Sequence, residues 1–411
     1  MPGSKRIPEL SYTGKSSGLV FQHSHSGPRH SNSGVAEFGN VFVEVGNSDP
    51  DGANPESQND VERDSGSVTS MHPGMTKERN EIMRITILFG GTNKERLVSV
   101  ASAQALHSAL TEADLWFWDV DDSVYETVSE ALLRHSRPFE EPFKPDNRRV
   151  GGIKQALDQA KAENRVLVLG LHGGTAENGE LQAMCELRGI PFTGSGSASS
   201  HLAFDKVAAK RFAAIAGVKA PAGVVLEQAE AALAEHGKLI AKPTCDGSSY
   251  GLMFVNSKQD LVAVRNAART EDYLIEPFIA GVEATCGVLE QLDGSLTPLP
   301  PVEIIPAEGE FDYRAKYLAK ATQEICPGRF APEINAQIMD QAIKAHKALS
   351  CSGYSRSDFI VSEEGPIYLE TNTLPGLTNA SLYPKALKAQ RIEFGDFLKD
   401  QIVLAIKRAQ Q

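Results

Sequence analysis

Cysteine is scarce in this chain, with five residues in 411: Cys185, Cys245, Cys286, Cys326 and Cys351. Their number is odd, they lie far apart, and no Cys-x-x-Cys pair occurs. A disulfide framework or a structural zinc site is therefore not expected, and a reducing cytoplasm fits best. No apolar run approaches the roughly 18–20 residues needed to span a bilayer, so no membrane partner is expected. Positive charge is short as well. The 41 Lys and Arg against 53 Asp and Glu leave a net charge of -12, which argues against a general nucleic-acid binder. There is no internal repeat, and the Gly-Lys-Ser/Thr order of a Walker A loop is missing. What remains is an ordinary soluble composition, long enough for two or three compact domains.

The first 82 residues lack apolar residues at helical or strand spacing. "YTGKSSGLVFQHSHSGPRHSNSG" and "NSDPDGANPESQNDVERDSGS" are rich in Ser, Gly, Asn, Asp and Pro. With little to bury, the segment is expected to be a disordered extension carrying one strand-like patch, "EFGNVFVEV". It has no apolar core of a secretory signal. Met83, directly before "RITILFGG", is an alternative start. His23, His25 and His30 raise metal binding, but such a composition reads better as a solvated tail.

Beyond the tail the pattern is regular. "RITILFGG" predicts a strand, "SVASAQALHSAL" a helix, "ADLWFWDVD" a second strand, "GGIKQALDQAKAEN" a helix and "RVLVLGLHGG" a buried strand. "RHSRPFEEPFKPDNRR" reads as a loop. Strands alternating with helices predict a parallel, doubly wound α/β sheet, with ligands at the carboxyl ends of its strands. "FGGTNKE" and "LHGGTAENG" lie at such ends. From about residue 205 the pattern becomes α+β. "DKVAAKRFAAIAG" is a helix closed by Gly217, followed by the short strands of "KLIAKPTCDGSSYGLMFV", "YLIEPFIAG" and "VEATCGVLE" and a helix near "SKQDLVAVRNAA". A long amphipathic helix, "EINAQIMDQAIKAHKALSC", precedes the strands "SDFIVS" and "IYLETN", and "FGDFLKDQIVLAIKRA" closes the chain.

"SDFIVSEEGPIYLETN" predicts a hairpin with a three-residue loop, Glu363-Glu364-Gly365, and left-handed Gly365. Ser362 then faces Pro366, and Asp358 faces Glu370. Period two puts Phe359, Val361, Ile367 and Leu369 on an apolar face. Asp358, Tyr368, Glu370 and Asn372 share the other. Such oxygen donors suit a hard cation such as Mg²⁺, although many antiparallel sheets simply have one solvated polar face. "KPTCDGSSYG" follows a strand. Gly247 and Gly251 allow tight turns, Ser248 and Ser249 add hydroxyls, and Lys242 supplies charge. Together these could cover a phosphate, although a plain hairpin explains the loop taken alone. Lys206 opens a helix after Asp205, and Glu276 stands at a strand end beside Pro277, where free backbone groups could pair with an adenine edge or merely link two domains.

In this order, "LFGGTNKERLVS", "LHGGTAENGELQAMCELRGIPFTGSG", "DKVAAKRF", "KPTCDGSSYG", "LIEPFIAGVE", "DYRAKYL", "RSDF" and "LETNTLPGLTNASLYP" resemble the D-alanine–D-alanine ligases of the ATP-grasp superfamily, over residues 83–411. The resemblance implies a three-domain ATP-grasp fold, α/β and α+β, with a Rossmann-like parallel-sheet substrate domain at 83–204. A central ATP-grasp domain at 205–288 and a C-terminal domain at 289–411 with the metal and acceptor sites follow. It implies D-alanine and ATP as substrates, an acyl-phosphate intermediate, peptidoglycan precursors as the destination, and two Mg²⁺ ions, or Mn²⁺, as cofactor. By position, Lys206, Lys242 and Ser249 match phosphate contacts. The stretch Glu276, Pro277, Phe278 and Ile279 matches the adenine hinge, and Glu283 the ribose ligand. Asp358, Glu370 and Asn372 match the metal ligands. Arg356 and the Gly376 N–H match the oxyanion stabilisers, and Glu95 and His172 the grip on the first ammonium group. Ser381 and Leu382 match the grip on the second carboxylate. Lys316 and Tyr317 match a closing loop, with Tyr317, Ser248 and Glu95 in one hydrogen-bonded set. Tyr at 317 favours an amine acceptor over D-lactate. Homodimers are common among such ligases, but no interface can be read here.

Three places depart from the family pattern: Leu97 in "ERLVS", Ala176 and Asn178 in "HGGTAENG", and Tyr250 after the Gly-Ser-Ser triplet. All lie toward the substrate end. Two other readings therefore stand beside the main one: an ATP-grasp ligase for another amino acid or a D-Ala-D-X product, and a non-catalytic nucleotide-binding homologue. The cysteines read as packing residues, Cys245 included.

Overall fold

Strand-forming runs that are apolar on both faces need cover on both sides, and "RITILFG" and "RVLVL" find it in the first sheet. The computed structural model describes residues 83–145, 148–247, 250–306 and 322–411. The 1–82 extension, Ser248, Ser249, Lys316 and Tyr317 lie outside the described residues. The first sheet comprises β1 (Arg84–Gly90), β2 (Asp114–Trp118), β3 (Ser123–Thr127), β4 (Arg149–Gly152) and β5 (Arg165–Leu169), in the order β4-β3-β2-β1-β5. β1 pairs parallel with β2 and β5, as the alternation predicts. β3 and β4 are antiparallel additions, so the sheet is mixed at one edge. The tight turn after Trp118 explains the difference. Asp122 takes a left-handed φ of 68° there, and the chain doubles straight back.

A second, antiparallel sheet holds β6 (Leu239–Pro243), β7 (Met253–Val255) and β8 (Tyr273–Pro277), ordered β7-β6-β8. The helices Ala229–His236 and Asp260–Ala267 close its core, the first of them not foreseen in the sequence. The third sheet runs β12-β11-β9-β13-β14, with β10 also paired to β9. Its strands are β9 (Val282–Glu290), β10 (Leu296–Pro298), β11 (Val302–Ile305), β12 (Gln323–Ile325), β13 (Tyr354–Ser362) and β14 (Gly365–Asn372). β9 crosses the 288/289 boundary expected above and pairs along β13. The helix Pro332–Ala348 covers one face through Ile338, Ala342 and Ala345.

One apolar core joins β1 and β2, through Ile87, Phe89 and Phe117, to the C-terminal helices Leu382–Ala389 and Phe394–Ala409, through Tyr383, Phe397, Leu398 and Ile402. The carboxyl ends of β1 and β5 are thereby held close to the end of β14. Among the described residues no helix is long and apolar enough to cross a membrane.

Candidate active site

The hairpin of β13 and β14 carries the acidic face. Its connection is two residues rather than three: Ser362 pairs with Gly365, whose φ of 97° closes the turn, and Val361 with Pro366. Asp358 still faces Glu370, as expected, because a bulge between Asp358 and Phe359 absorbs the difference and leaves Leu369 as the extra residue. The bulge changes which face the residues before it occupy. Tyr368 sits opposite Phe359, fully buried, with the ring centroids 5.9 Å apart. It belongs to the core and not to the polar face, while Ile367 pairs with Ile360 on the other side. Period two alone cannot reveal a bulge.

The polar face then reads Arg356 opposite Asn372 and Asp358 opposite Glu370. The Arg356 guanidinium donates from Nε and Nη2 to the two Asp358 oxygens, each at 2.9 Å. Thr285 Oγ1 donates to Asp358 at 2.6 Å, and the Asn372 amide at 3.2 Å. Glu283 lies on β9 two residues from Thr285, so it shares this face.

Lys206 opens the helix Lys206–Ile215, whose first amides bond to the Asp205 side chain. Its ammonium lies 3.3 Å from Glu370 and also donates to the Asp246 carbonyl in the Gly-Ser loop. One turn on, Lys210 pairs with Glu276, which Lys242 meets from β6 at 2.7 Å. Burial alone would raise the Glu276 carboxyl, but Lys242 and Lys210 outweigh it and hold the group below its usual range. Lys210 is pushed down to about 7 by burial and by repulsion from Lys242. Burial also acts against the Lys242 ammonium, but Glu276 and Glu370 overcome it and raise its pKa. Past Glu276 the antiparallel pairing with β6 continues one step beyond the strand: the Phe278 N–H donates to Lys238 O at 3.0 Å, and the Lys238 ammonium sits 3.7 Å from the Phe278 ring centre. Pro277 has no N–H, so among these residues a nucleotide base would find its donor at Ile279.

On the first sheet, Ser99 ties the ends of β1 and β5 together: it accepts from Gly90 N at 2.7 Å and donates to Gly170 O at 2.5 Å. Asn93 clamps the two loops, donating to His172 O at 2.8 Å and Gly173 O at 2.9 Å. Glu95 is buried at the start of the helix Arg96–Ala109. Its carboxylate lies so near two loops that a Cβ added at Gly173 or Gly247 would meet it at 2.9 or 2.8 Å. Glu95 thus abuts both the β5 loop and the Gly-Ser loop. His172 is buried with both ring nitrogens engaged, Nδ1 with Leu374 O at 3.0 Å and Nε2 with Ser102 Oγ at 2.8 Å. Burial pushes its imidazole down to about 4, and the Arg356 charge adds to the shift. Glu177 accepts from Gly173 N at 3.0 Å and from Leu374 N at 3.4 Å, and burial raises its pKa. Gly376 packs on Ser381, where a Cβ would fall 2.7 Å from Oγ, and Ser381 Oγ pairs with Thr378 Oγ1 at 2.7 Å. Leu382 begins the following helix, half-buried against the core.

Direct contacts therefore link Arg356, Asp358 and Asn372, then Glu370 with Lys206, and Lys242 with Glu276. Others join Glu95 to Gly247 and His172 to Leu374. Sequence reading noted Glu177 only as a matching motif residue beside His172, and it missed Lys210, Asn93 and Thr285. Only two left a trace: Lys210 stands four residues after Lys206 on one helix face, and Thr285 two after Glu283 on one strand face.

A family model described as "D-ala D-ala ligase N-terminus" matches residues 84–195, and one described as "D-ala D-ala ligase C-terminus" matches 225–403. The chain is 33% identical to the D-alanine--D-alanine ligase of Halalkalibacterium halodurans, over 79% of this chain and 100% of that one. It is 35% identical to that of Desulfotalea psychrophila, over 82% and 98%. Among solved structures, the VanG D-Ala:D-Ser ligase from Enterococcus faecalis superposes with a TM-score of 0.64 at 30% identity, covering 79% of this chain and 99% of that one. The Bacillus anthracis D-alanine--D-alanine ligase complexed with ATP gives 0.61 at 26% identity, covering 80% and 98%.

Proposed function

The chain belongs to the D-alanine–D-alanine ligase family, and from that premise we propose that it joins two D-alanine molecules in an ATP-dependent reaction in the cytoplasm, making the dipeptide for peptidoglycan precursors. The observation that carries the reading is the polar face of β13 and β14, where Arg356, Asp358, Glu370 and Asn372 meet Lys206. Transfer of a phosphoryl group needs charge neutralised and reactants held in line more than it needs covalent chemistry.

Asp358, Glu370 and Asn372 offer oxygen donors only, which fits Mg²⁺, or Mn²⁺ in its place. Among the described residues no group of three His, Cys, Asp or Glu could hold a metal. Two carboxylates and an amide suit a cation that shares its shell with nucleotide phosphates and water. Bound there, two such ions would neutralise the phosphates and act as Lewis acids. Lys206, Lys242 and Ser249 hold the phosphates, residues 276–279 the adenine, and Glu283 the ribose.

A carboxylate oxygen of the first D-alanine attacks the γ-phosphorus, and ADP leaves. The amine of the second attacks the acyl carbon, forming the C–N bond, losing a proton and expelling phosphate. Arg356 and the Gly376 N–H stabilise the oxyanion. Glu95 faces the first ammonium; Ser248, Lys316 and Tyr317, which lie outside the described residues, keep the roles that the family resemblance implies for them. Ser381 and Leu382, at a helix N-terminus, receive the second carboxylate. The domain limits are proposed as 83–204, 205–288 and 289–411, the last limit falling within β9 near its carboxyl end.

The likeness to a D-Ala:D-Ser ligase supports a second reading, in which another acceptor takes the second site. Acceptor profiling separates the two. Purified protein is given ATP, Mg²⁺ and D-alanine, alone and then with D-serine, D-lactate or L-amino acids, and products are identified by mass. D-alanyl-D-alanine as the preferred product is expected. A mixed product in preference to it would replace the main reading with the second, and nucleotide binding without any product would defeat both.

A further inference from the structure

On the ligase reading above, we propose that His172 and Glu177 are positioning residues: together they clamp the Leu374 backbone through its N–H and its C=O and so fix where the Gly376 N–H points. Both come from the loop after β5, and both reach the backbone that leaves β14. Nδ1 of His172 engages Leu374 O at 3.0 Å, and Glu177 accepts from Leu374 N at 3.4 Å. The Leu374 side chain is buried and belongs to the same apolar core as Leu88, Trp118, Leu171 and Ala176. Backbone donor, backbone acceptor and side chain of one residue are thus all held by the opposite part of the molecule.

That grip is transmitted. Only Pro375 separates Leu374 from Gly376, and a proline ring fixes its own φ. On the far side Gly376 packs on Ser381, itself bonded to Thr378. An N–H aimed at a developing oxyanion is held between two anchors.

The hydrogen bonds also settle what His172 does not do. A carbonyl oxygen only accepts, so Nδ1 carries the proton toward Leu374. The ring is buried and neutral, so Nε2 accepts from Ser102 Oγ. Neither nitrogen remains for the ammonium group that sequence resemblance assigned to it, and that grip falls to Glu95.

The test has two independent readouts. In wild-type protein, ¹⁵N NMR should show His172 as the neutral Nδ1–H tautomer throughout about pH 5 to 8. An Nε2–H tautomer, or titration near its ordinary value, would overturn the clamp. Steady-state kinetics on His172→Ala and Glu177→Gln should show kcat falling about 10- to 100-fold while KM for D-alanine stays within about twofold. His172→Asn, whose amide N–H can replace Nδ1–H, should recover most of the loss. A large rise in D-alanine KM with kcat unchanged would make His172 a substrate ligand instead. Wild-type protein without ligase activity would sink the functional reading, while the tautomer would still report on the clamp.

Discussion

Glu370 illustrates how one residue is assigned to chemistry rather than packing. It is half-buried, faces Asp358 across the hairpin and meets Lys206 at 3.3 Å, yet takes no part in the apolar core. Glu370→Ala should therefore lower turnover at least about 100-fold with little change in melting temperature. Wild-type turnover in that variant would remove Glu370 from the proposed metal ligands. Alternation along a strand made Asp358, Glu370 and Asn372 legible in the sequence. Tyr368 was misplaced because a bulge inverts that alternation and leaves no mark in composition. Glu177 was legible only as a motif residue beside His172, and Asn93 not at all, since what each does depends on backbone atoms of a distant segment. Lys210 was overlooked because a lysine on a helix is ordinarily a surface residue; only Glu276, brought in by β8, makes it otherwise.

Among elements, the loops after β1, β5 and β6 meet at Glu95. Parallel neighbours β1 and β5 bring the first two loops together, and the Gly-Ser loop after β6 closes on them. Gly247 lets it come close: a Cβ there would fall 2.8 Å from a Glu95 carboxylate oxygen. Since that oxygen ends a flexible side chain, Gly247→Ala should displace Glu95 and spare the fold. The expected result is a rise of about tenfold in KM for the first D-alanine, the size of effect that follows when a charge-assisted hydrogen bond to a substrate is broken. An unchanged KM would mean that Glu95 does not hold the ammonium. The parallel core of the first sheet was readable from its strand–helix alternation. The β3–β4 edge was not, because its segments follow a short Asp-rich turn and a Pro-containing loop that carry no periodicity.

At the scale of the whole molecule, buried histidines contribute to the response to acid. His172 and His346 are both buried and held down to about 4, His346 by burial and then by Lys347. Between about pH 4 and the ordinary histidine value, the unfolded chain binds more protons than the folded one. The stability these two contribute is therefore complete above about pH 6.5 and is lost as pH falls toward 4, at about 1.4 kcal/mol per pH unit for each. Urea unfolding should show stability falling with pH across this range, and His346→Gln should remove about 1.4 kcal/mol per pH unit of that fall. A flat profile would mean that the two imidazoles are solvated.

Family matches begin at residue 84, and 79% of the chain already covers the whole Halalkalibacterium relative. Residues 83–411 alone should fold and turn over like the full chain; loss of either would make the extension part of the enzyme.

Phosphorylation of a D-alanine carboxylate by ATP, followed by its capture by an amine, is the step on which ligation depends. It is tested most directly by supplying D-alanine labelled with ¹⁸O in its carboxylate as the sole amino acid, with ATP and Mg²⁺, and weighing both products. One labelled oxygen in the released phosphate, together with D-alanyl-D-alanine, is the predicted result. Unlabelled phosphate, or phosphate without dipeptide, would contradict the claim.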